Sequence, residues 1–336
     1  MRIIVDAFGG DNAPLEIIKG SLDAVKEYGV DITLVGKEDV IRKVCKEQGI
    51  NPDTFEILNA DDVITNDDNG SDIVKAKSNS SMAVGLKYLH DGGGDAFVSA
   101  GSSGAICVGA TLIVKRIKGI SRPGFAAVIP GAVSKFMLLD CGANLQCRPE
   151  MLRQFAVMGS VYMNKVMGID NPRVGIANVG TEEHKGTELQ QETYALLKNS
   201  SLNFVGYVEG RDIPADKCDV VVCAGFTGNM ILKTYEGVAI ALMKKFKGIF
   251  TKNLKNKLAA SMVLKDVKVL KKDFDYGETG GAPILGVQKP VFKAHGDSDA
   301  RSFKNAIGQT KQYLESGVIE IVTEKLKEIK AGEEND

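Results

Sequence analysis

Seven small residues, Ser99-Ala100-Gly101-Ser102-Ser103-Gly104-Ala105, stand between a strand-like run, Asp95 to Val98, and a helix-like run, Ile106 to Val114. Without bulky side chains the backbone can close on a ligand, and the unpaired N–H groups opening the following helix present donors and the positive end of its dipole. Such a turn can grip an anion. The same residue types also make an ordinary capped connection. The segment therefore defines a candidate anion site, with Ser99, Gly101, Ser102, Ser103 and Gly104 as its residues, without naming the anion.

Five further clusters share this character: Asp6-Ala7-Phe8-Gly9-Gly10-Asp11, Asp140-Cys141-Gly142-Ala143-Asn144, Asn178 to Gly186, Gly225-Phe226-Thr227-Gly228-Asn229 and His295-Gly296-Asp297-Ser298. Each follows an apolar run or a strand-like segment. If those runs are strands of one sheet, the six loops gather at one topological end and line a common crevice.

Spacing rules out several familiar chemistries. Neither Gly-x-Gly-x-x-Gly nor Gly-x-x-x-x-Gly-Lys-Ser/Thr occurs, and Gly101-Ser102-Ser103-Gly104 has the wrong glycine spacing for a hydrolase elbow. Asp61 to Asp72 has the composition of a calcium loop, but around Gly70 the first ligand position is Thr65 and the bidentate position is Ala76. A solvated or mobile loop is expected there. His90, His184 and His295 show no helical ligand spacing, and the closest cysteine pairs, Cys141 with Cys147 and Cys218 with Cys223, lack zinc-knuckle spacing. No metal or cofactor is expected, and the six cysteines read as reduced and mostly buried thiols.

The elements that must position these loops are legible as apolar runs: Ile3 to Val5, Ile32 to Val35, Phe55 to Leu58, Ala96 to Val98, Phe125 to Ile129, Phe136 to Leu139, Val174 to Ala177, Phe204 to Val208 and Val220 to Cys223. Helices fall between them. Pro14 opens one through Tyr28, Glu38 to Gln48 ends at Gly49, and Glu150 to Met167 ends at Gly168. The pattern predicts an α/β protein: three layers, α/β/α, around a largely parallel, doubly wound sheet. At 336 residues, with 44% hydrophobic and 25% charged residues and a net charge of -1, it reads as a soluble globular chain with no general attraction to nucleic acid. Met1-Arg2-Ile3-Ile4-Val5-Asp6 runs straight into a strand without a secretory apolar region, and no stretch is long enough to span a bilayer, so a cytoplasmic location is expected.

The charge is polarised, however. Lys244 to Lys272 holds ten lysines and one acidic residue, a net +9 that leaves -10 for the remainder. Leu242, Met243, Phe246, Ile249, Phe250, Leu254 and Leu258 recur at helical spacing opposite the lysines. This predicts a basic amphipathic helix followed by a second, suited to an anionic membrane surface, an acidic protein partner or both, with Phe246, Phe250, Lys252, Leu254, Lys255 and Lys257 as its contact residues. The expected organisation is one domain over 1–330, with 236–272 as a helical projection and 331–336 as a polar tail.

Taken together, the segments resemble the PlsX family of phosphate acyltransferases. The match is carried by Asp6 to Pro14, Ser99 to Ala105, Arg122-Pro123, Leu139 to Asn144, Gly180 to Gly186, Val208-Glu209-Gly210-Arg211-Asp212, Gly225 to Asn229, Tyr276 to Gly286 and His295 to Ser298. The resemblance implies a fold similar to phosphotransacetylases and isocitrate-dehydrogenase-like enzymes, a homodimer, and peripheral membrane association. It also implies transfer of a fatty acyl group from acyl carrier protein to inorganic phosphate, giving acyl phosphate for phospholipid synthesis, in which a downstream glycerol-phosphate acyltransferase is a further expected partner. Three positions depart from the family pattern. Ala224 stands where Asp is usual, which bears on loop rigidity or substrate preference, and Ser102-Ser103 replaces Asn-Thr.

On this reading Ser102, Ser103 and the amides from Gly101 to Ala105 hold phosphate, Asn144, Lys185 and Asn229 supply donors near phosphate or the thioester carbonyl, and His295 contributes a donor or a proton. His295 equally fits a structural role within its own turn, and Lys185 an ordinary solvated charge. Direct attack by phosphate is favoured over an acylated Cys141, because no histidine is spaced to activate the thiol. A short-chain phosphotransacetylase using coenzyme A and a non-catalytic membrane scaffold are the alternatives.

Overall fold

The computed structural model describes the chain except residues 274–276, 278, 279 and 334–336 and the side chains of residues 268, 270–273 and 330–333. Of the expected motif at 276–286, Tyr276, Glu278 and Thr279 lie outside the described residues, as does much of the tail at 331–336.

The first half of the sheet is built from β1 (Arg2–Asp6), β2 (Asp31–Gly36), β3 (Glu56–Asn59) and β4 (Ala96–Ser99). Between them run α1 (Leu15–Tyr28), α2 (Glu38–Glu47) and α3 (Ser81–His90). After β4 comes α4 (Ser103–Gly109), which continues through wider π turns at Ala110–Val114. The second half comprises β5 (Gly124–Pro130), β6 (Lys135–Leu139), β7 (Val174–Asn178), β8 (Phe204–Glu209) and β9 (Val220–Val222), with α5 (Pro149–Lys165) and α6 (Glu188–Lys198). Three helices, α7 (Gly225–Thr251), α8 (Leu254–Met262) and α9 (Leu264–Asp273), precede β10 (Gly281–Leu285) and β11 (Val291–Ala294). The chain then closes with α10 (Ala300–Glu315) and α11 (Val318–Glu333).

The eleven strands among the described residues join one sheet in the order β3-β2-β1-β4-β11-β10-β5-β6-β9-β7-β8. All nine runs expected from the sequence are strands. β10 and β11 fall outside those runs, because Gly281-Ala282-Pro283 and a lysine at 293 break the apolar pattern. The period-two alternation assigns each layer. Ile3 and Val5 face one core, with α1, α5 and α10, while Ile4 faces the other, with α3 and α4. In β6, Met137 and Leu139 join the first core, and Phe136 and Leu138 pack towards α7.

One expectation needs correction here. β10 is antiparallel to both β11 and β5, and β5 is antiparallel to β6. The two parallel halves therefore run in opposite directions, and the six loops do not share one edge of the sheet. They can meet only over the central strands, on the face carrying α4 and α7.

The basic stretch also differs from expectation. It begins inside the 27-residue α7 and continues through two more helices, not one. Leu242, Phe246, Ile249, Leu254 and Leu258 are exposed, Leu254 at 75%, so the projection leaves its apolar side uncovered within this chain. Phe250 is half-buried, and Lys252, Lys255 and Lys257 are exposed. The side chains of Lys268, Lys271 and Lys272 lie outside the described residues. Among the described residues no helix is long and apolar enough to cross a membrane.

Candidate active site

Two buried carboxylates hold the loops in place. Asp6, at the end of β1, accepts the hydroxyls of Ser81 at 2.6 Å and Ser99 at 2.7 Å, and the N–H of Phe8 at 3.2 Å. Ser99 Oγ in turn accepts the N–H of Gly101 at 2.9 Å. The approach is close enough that a Cβ on Gly9 would lie 2.6 Å from Asp6 Oδ2, Ser99 Oγ and Gly101 N, which explains the glycine. Burial raises the Asp6 pKa, and its hydrogen bonds work against that rise.

Asp140 does the same at the end of β6. It accepts N–H groups from Phe125, Gly142, Ala143 and Asn144 and the Asn144 side-chain amide at 2.9 Å. Burial raises its pKa too, against the hydrogen bonds from Asn144 and the backbone. A Cβ on Gly228 would overlap Asp140 O, so α7 can start only where it does because that residue is glycine.

Between these two frames lies a cavity of about 730 Å³. Gly101, Ser103 and Gly104 line one end, joined by Lys293, His295 and Gly296. Gly142, Ala143 and Asn229 line it too, with β5, the first turns of α7, Cys107 and Val108 of α4, and Gly280 to Ala282 at the start of β10. The structure thus brings together four of the six clusters. The Asp6 cluster lies behind the serine turn and supports it, and the Asn178 to Gly186 turn does not line the cavity.

The expected site residues divide accordingly. Gly101, Ser103, Gly104, Asn229 and His295 line the cavity. Ser99 is fully buried with its hydroxyl committed to Asp6, and Ser102 is nearly buried and makes no side-chain cap to α4. Asn144 points inward, donating to Pro123 O at 2.8 Å and to Asp140, so it fixes the turn and does not face the cavity. Lys185 is exposed, outside the cavity, on the turn that Asn178 closes by donating to Gly180 O and Lys185 O. His295 Nδ1 meets Asp297 Oδ1 within the same turn. Ala224 is the N-cap of α7 and, unlike an Asp, offers that helix no side-chain cap.

Sequence reasoning missed Lys293. It is only 8% exposed, on the cavity face of β11, and its ammonium donates to Ala100 O at 3.1 Å and to Ala294 O. It therefore ties the serine turn to the His295 turn. Burial lowers its pKa to about 8, helped by the positive charge of Lys233 and opposed by Asp11. An ionisable residue inside Val291-Phe292-Lys293-Ala294 was the available signal.

The acidic loop is solvated over most of Asp61 to Asp72, but it is also docked. Ile64 and Ile73 are buried, Gly70–Val74 forms a short 3-10 turn, and Gly70 packs against the backbone of Gly104. Two apolar anchors dock the loop, and Asn66, Gly70 and Ser71 reach the cavity wall. Cys107 and Cys141 line the cavity as well, but burial pushes the Cys107 thiol up to about 12 and that of Cys141 well above its ordinary value. Thiols held protonated are poor nucleophiles.

Fold and site define the class first: a doubly wound α/β protein with a phosphotransacetylase-like fold. A phosphotransacetylase from Streptococcus pyogenes superposes with a TM-score of 0.62 at 18% identity, covering 94% of each chain. A branched-chain phosphotransacylase from Enterococcus faecalis gives 0.57 at 12% identity, covering 94% of this chain and 99% of that one. Residues 1–321 match the model of the family described as fatty acid synthesis protein. Phosphate acyltransferases from Acetivibrio thermocellus and Thermoanaerobacter pseudethanolicus are 47% and 45% identical, covering 97% of this chain and 96% and 98% of theirs. The chain belongs to this family, the PlsX phosphate acyltransferases.

Proposed function

We propose that the cavity transfers a long-chain fatty acyl group from the thioester of acyl carrier protein to inorganic phosphate, giving acyl phosphate for phospholipid synthesis. Family membership makes the chain an acyltransferase acting on an acyl donor and phosphate. The observation that carries the finer reading is a single cavity joining an anion-ready end, Gly101 to Gly104 with Lys293, to an apolar cleft between β5 and α7.

Phosphate docks on the Gly101 to Gly104 turn, with the Ser103 hydroxyl and the Lys293 ammonium as further donors. One of its oxygens attacks the thioester carbon, the C–O bond forms, and the C–S bond breaks with its electron pair leaving on sulfur. The proton of hydrogen phosphate ends on the thiol, with His295 at the mouth as a relay. A free thiol has a pKa of roughly 8.5, so the leaving group needs no strong acid. The larger problem is bringing two anions together, which donors and one cation solve by position and charge. Asn229 donates to the developing oxyanion, Asn144 and Asp140 hold its turn, and Lys185 acts at the rim on the incoming donor.

Residues 1–330 act as one unit in this reading, as a homodimer, with 236–272 as the surface that meets an anionic membrane at the cytoplasmic side or the acidic carrier. The deciding assay supplies hexadecanoyl carrier protein and phosphate and follows free thiol and acyl phosphate. Phosphate-dependent release of both is expected. Preference for acetyl-CoA would assign the short-chain reaction instead, and no phosphate-dependent product would overturn the reading.

A further inference from the structure

The cavity extends well beyond the region where phosphate chemistry takes place. β5 and α7 leave the Asp140 turn side by side. Phe125 O accepts the N–H of Cys141 at 2.8 Å, and a Cβ on Gly142 would lie 3.6 Å from Asn229 Cβ, so both elements start at the same place. They meet again at the other end, where the Tyr235 hydroxyl donates to Pro130 O at 2.6 Å. The Tyr235 ring is braced there, edge-on against Phe136 with centroids 6.2 Å apart.

The walls between these two points are apolar by residue period. Ala127 and Ile129 share one face of β5, while Leu232 and Tyr235 share one face of α7 at a step of three, and Ala239 lines the cavity one turn past the tyrosine. The charged neighbours Lys233 and Glu236 pair with each other at 2.8 Å. From Phe125 to Pro130 the strand rises roughly 17 Å. The helical wall from Asn229 to Tyr235 rises roughly 9 Å, and a carbon chain extends by roughly 1.3 Å per methylene, from the length and tetrahedral angle of its bonds, so the two walls match roughly seven to a dozen methylenes.

We infer that the β5–α7 cleft holds the alkyl chain of the thioester donor, its carbonyl at the Gly142–Asn229 end, and that Tyr235 bonded to Pro130 closes the far end and sets the chain length accommodated. The inference rests on the acyl-transfer reading above. Its occupant follows from continuity with the anion turn, from apolar walls and from length.

The test compares kcat/KM for octanoyl, dodecanoyl and hexadecanoyl carrier protein with inorganic phosphate. Each methylene withdrawn from water contributes up to a factor of about four, so the wild-type value should climb from octanoyl to dodecanoyl and then flatten. Ala127→Leu, which fills the middle of the cleft, should lower the hexadecanoyl-to-octanoyl ratio tenfold or more. Tyr235→Ala should move the flattening point to longer chains, and Tyr235→Phe, which keeps the ring, should move it less. If Ala127→Leu does not fold, the half-buried Tyr235 pair still decides. Unaltered chain-length profiles in variants that retain phosphate-dependent turnover would overturn the inference. A wild-type protein inactive on every donor would overturn the acyl-transfer reading instead.

Discussion

Ser99 donates its hydroxyl to Asp6 at 2.7 Å while accepting the Gly101 N–H, so a carboxylate buried at the end of β1 sets the turn proposed to hold phosphate. Asp6→Ala removes the acceptor for two buried hydroxyls, those of Ser81 and Ser99. An unsatisfied buried polar group costs about 1–3 kcal/mol, and some reorientation of the hydroxyls is open to them, so a loss of about 2–3 kcal/mol is expected by denaturant unfolding. The KM for phosphate should rise more than kcat falls. Because the two residues share one network, Asp6→Ala with Ser99→Ala should cost less than the sum of the single changes. Full additivity would mean that the contact does not couple the strand end to the turn.

A second prediction concerns pH. Burial depresses Lys293 from the ordinary lysine range to about 8, so the ammonium is present below that pH and is lost as pH rises through it. The phosphate KM should be flat below about 8 and then climb tenfold per pH unit, the slope of one titrating group. Bound phosphate favours the charged form, which moves the limb in kcat to higher pH than the limb in kcat/KM. Lys293→Met should lower kcat/KM for phosphate about 10- to 100-fold, the value of a charge-assisted hydrogen bond, and abolish the limb. A limb that persists in Lys293→Met belongs to another group.

These two residues also mark what sequence can reveal. The nine strands and the serine turn were legible because a short apolar run ending in Gly, Ser, Asn or Asp is the pattern a buried strand and its turn require. The cavity was not. Its location depends on β10, whose glycine and proline hide it, and on the antiparallel β10 and β5 that turn the two halves of the sheet against each other. Asn144 and Ser99 were read by type as ligand donors, but their side-chain bonds are spent on Pro123, Asp140 and Asp6. A residue type suggests a donor, whereas only the fold decides what receives it.

Lys185 offers a kinetic separation. It is exposed on the turn after β7, outside the cavity that holds Ser103 and Lys293. If it meets the donor at the rim, Lys185→Ala should raise the KM for acyl carrier protein several-fold and leave the KM for phosphate within twofold. Ser103→Ala should do the reverse, raising the phosphate KM by the loss of one hydrogen bond, about 0.5–1.5 kcal/mol. A rise in phosphate KM from Lys185→Ala would bring that turn over the cavity during turnover.

The helical projection predicts a salt-sensitive surface. Leu254 is 75% exposed beside Lys252, Lys255 and Lys257, and Phe250 sits half-buried at the preceding helix end. Co-sedimentation with vesicles containing anionic lipid should weaken as salt rises, through screening, and weaken again in Leu254→Glu and Phe250→Glu, which remove apolar insertion and add repulsion. Binding that is equal in neutral vesicles, or indifferent to both variants, would exclude this mode of membrane contact.

Ala224 supplies the last prediction. It occupies the N-cap of α7 with extended backbone, φ -69° and ψ 148°, the geometry from which an Asp side chain accepts the N–H groups of the first turn. Ala224 has no side-chain acceptor, so this chain lacks a cap that the backbone there is shaped to receive. Ala224→Asp should recover about 1 kcal/mol from the cap and the helix dipole. Against that stands Asp140, whose Oδ2 would lie 2.9 Å from a Cβ on the adjacent Gly225, so a second carboxylate arrives close to a buried first one. Asp140 already holds several N–H donors that absorb its charge. The cap should therefore win, giving a higher unfolding midpoint in urea with an unchanged slope. A lower midpoint would mean that repulsion between the two carboxylates outweighs the cap, and that the alanine relieves Asp140 of a neighbour.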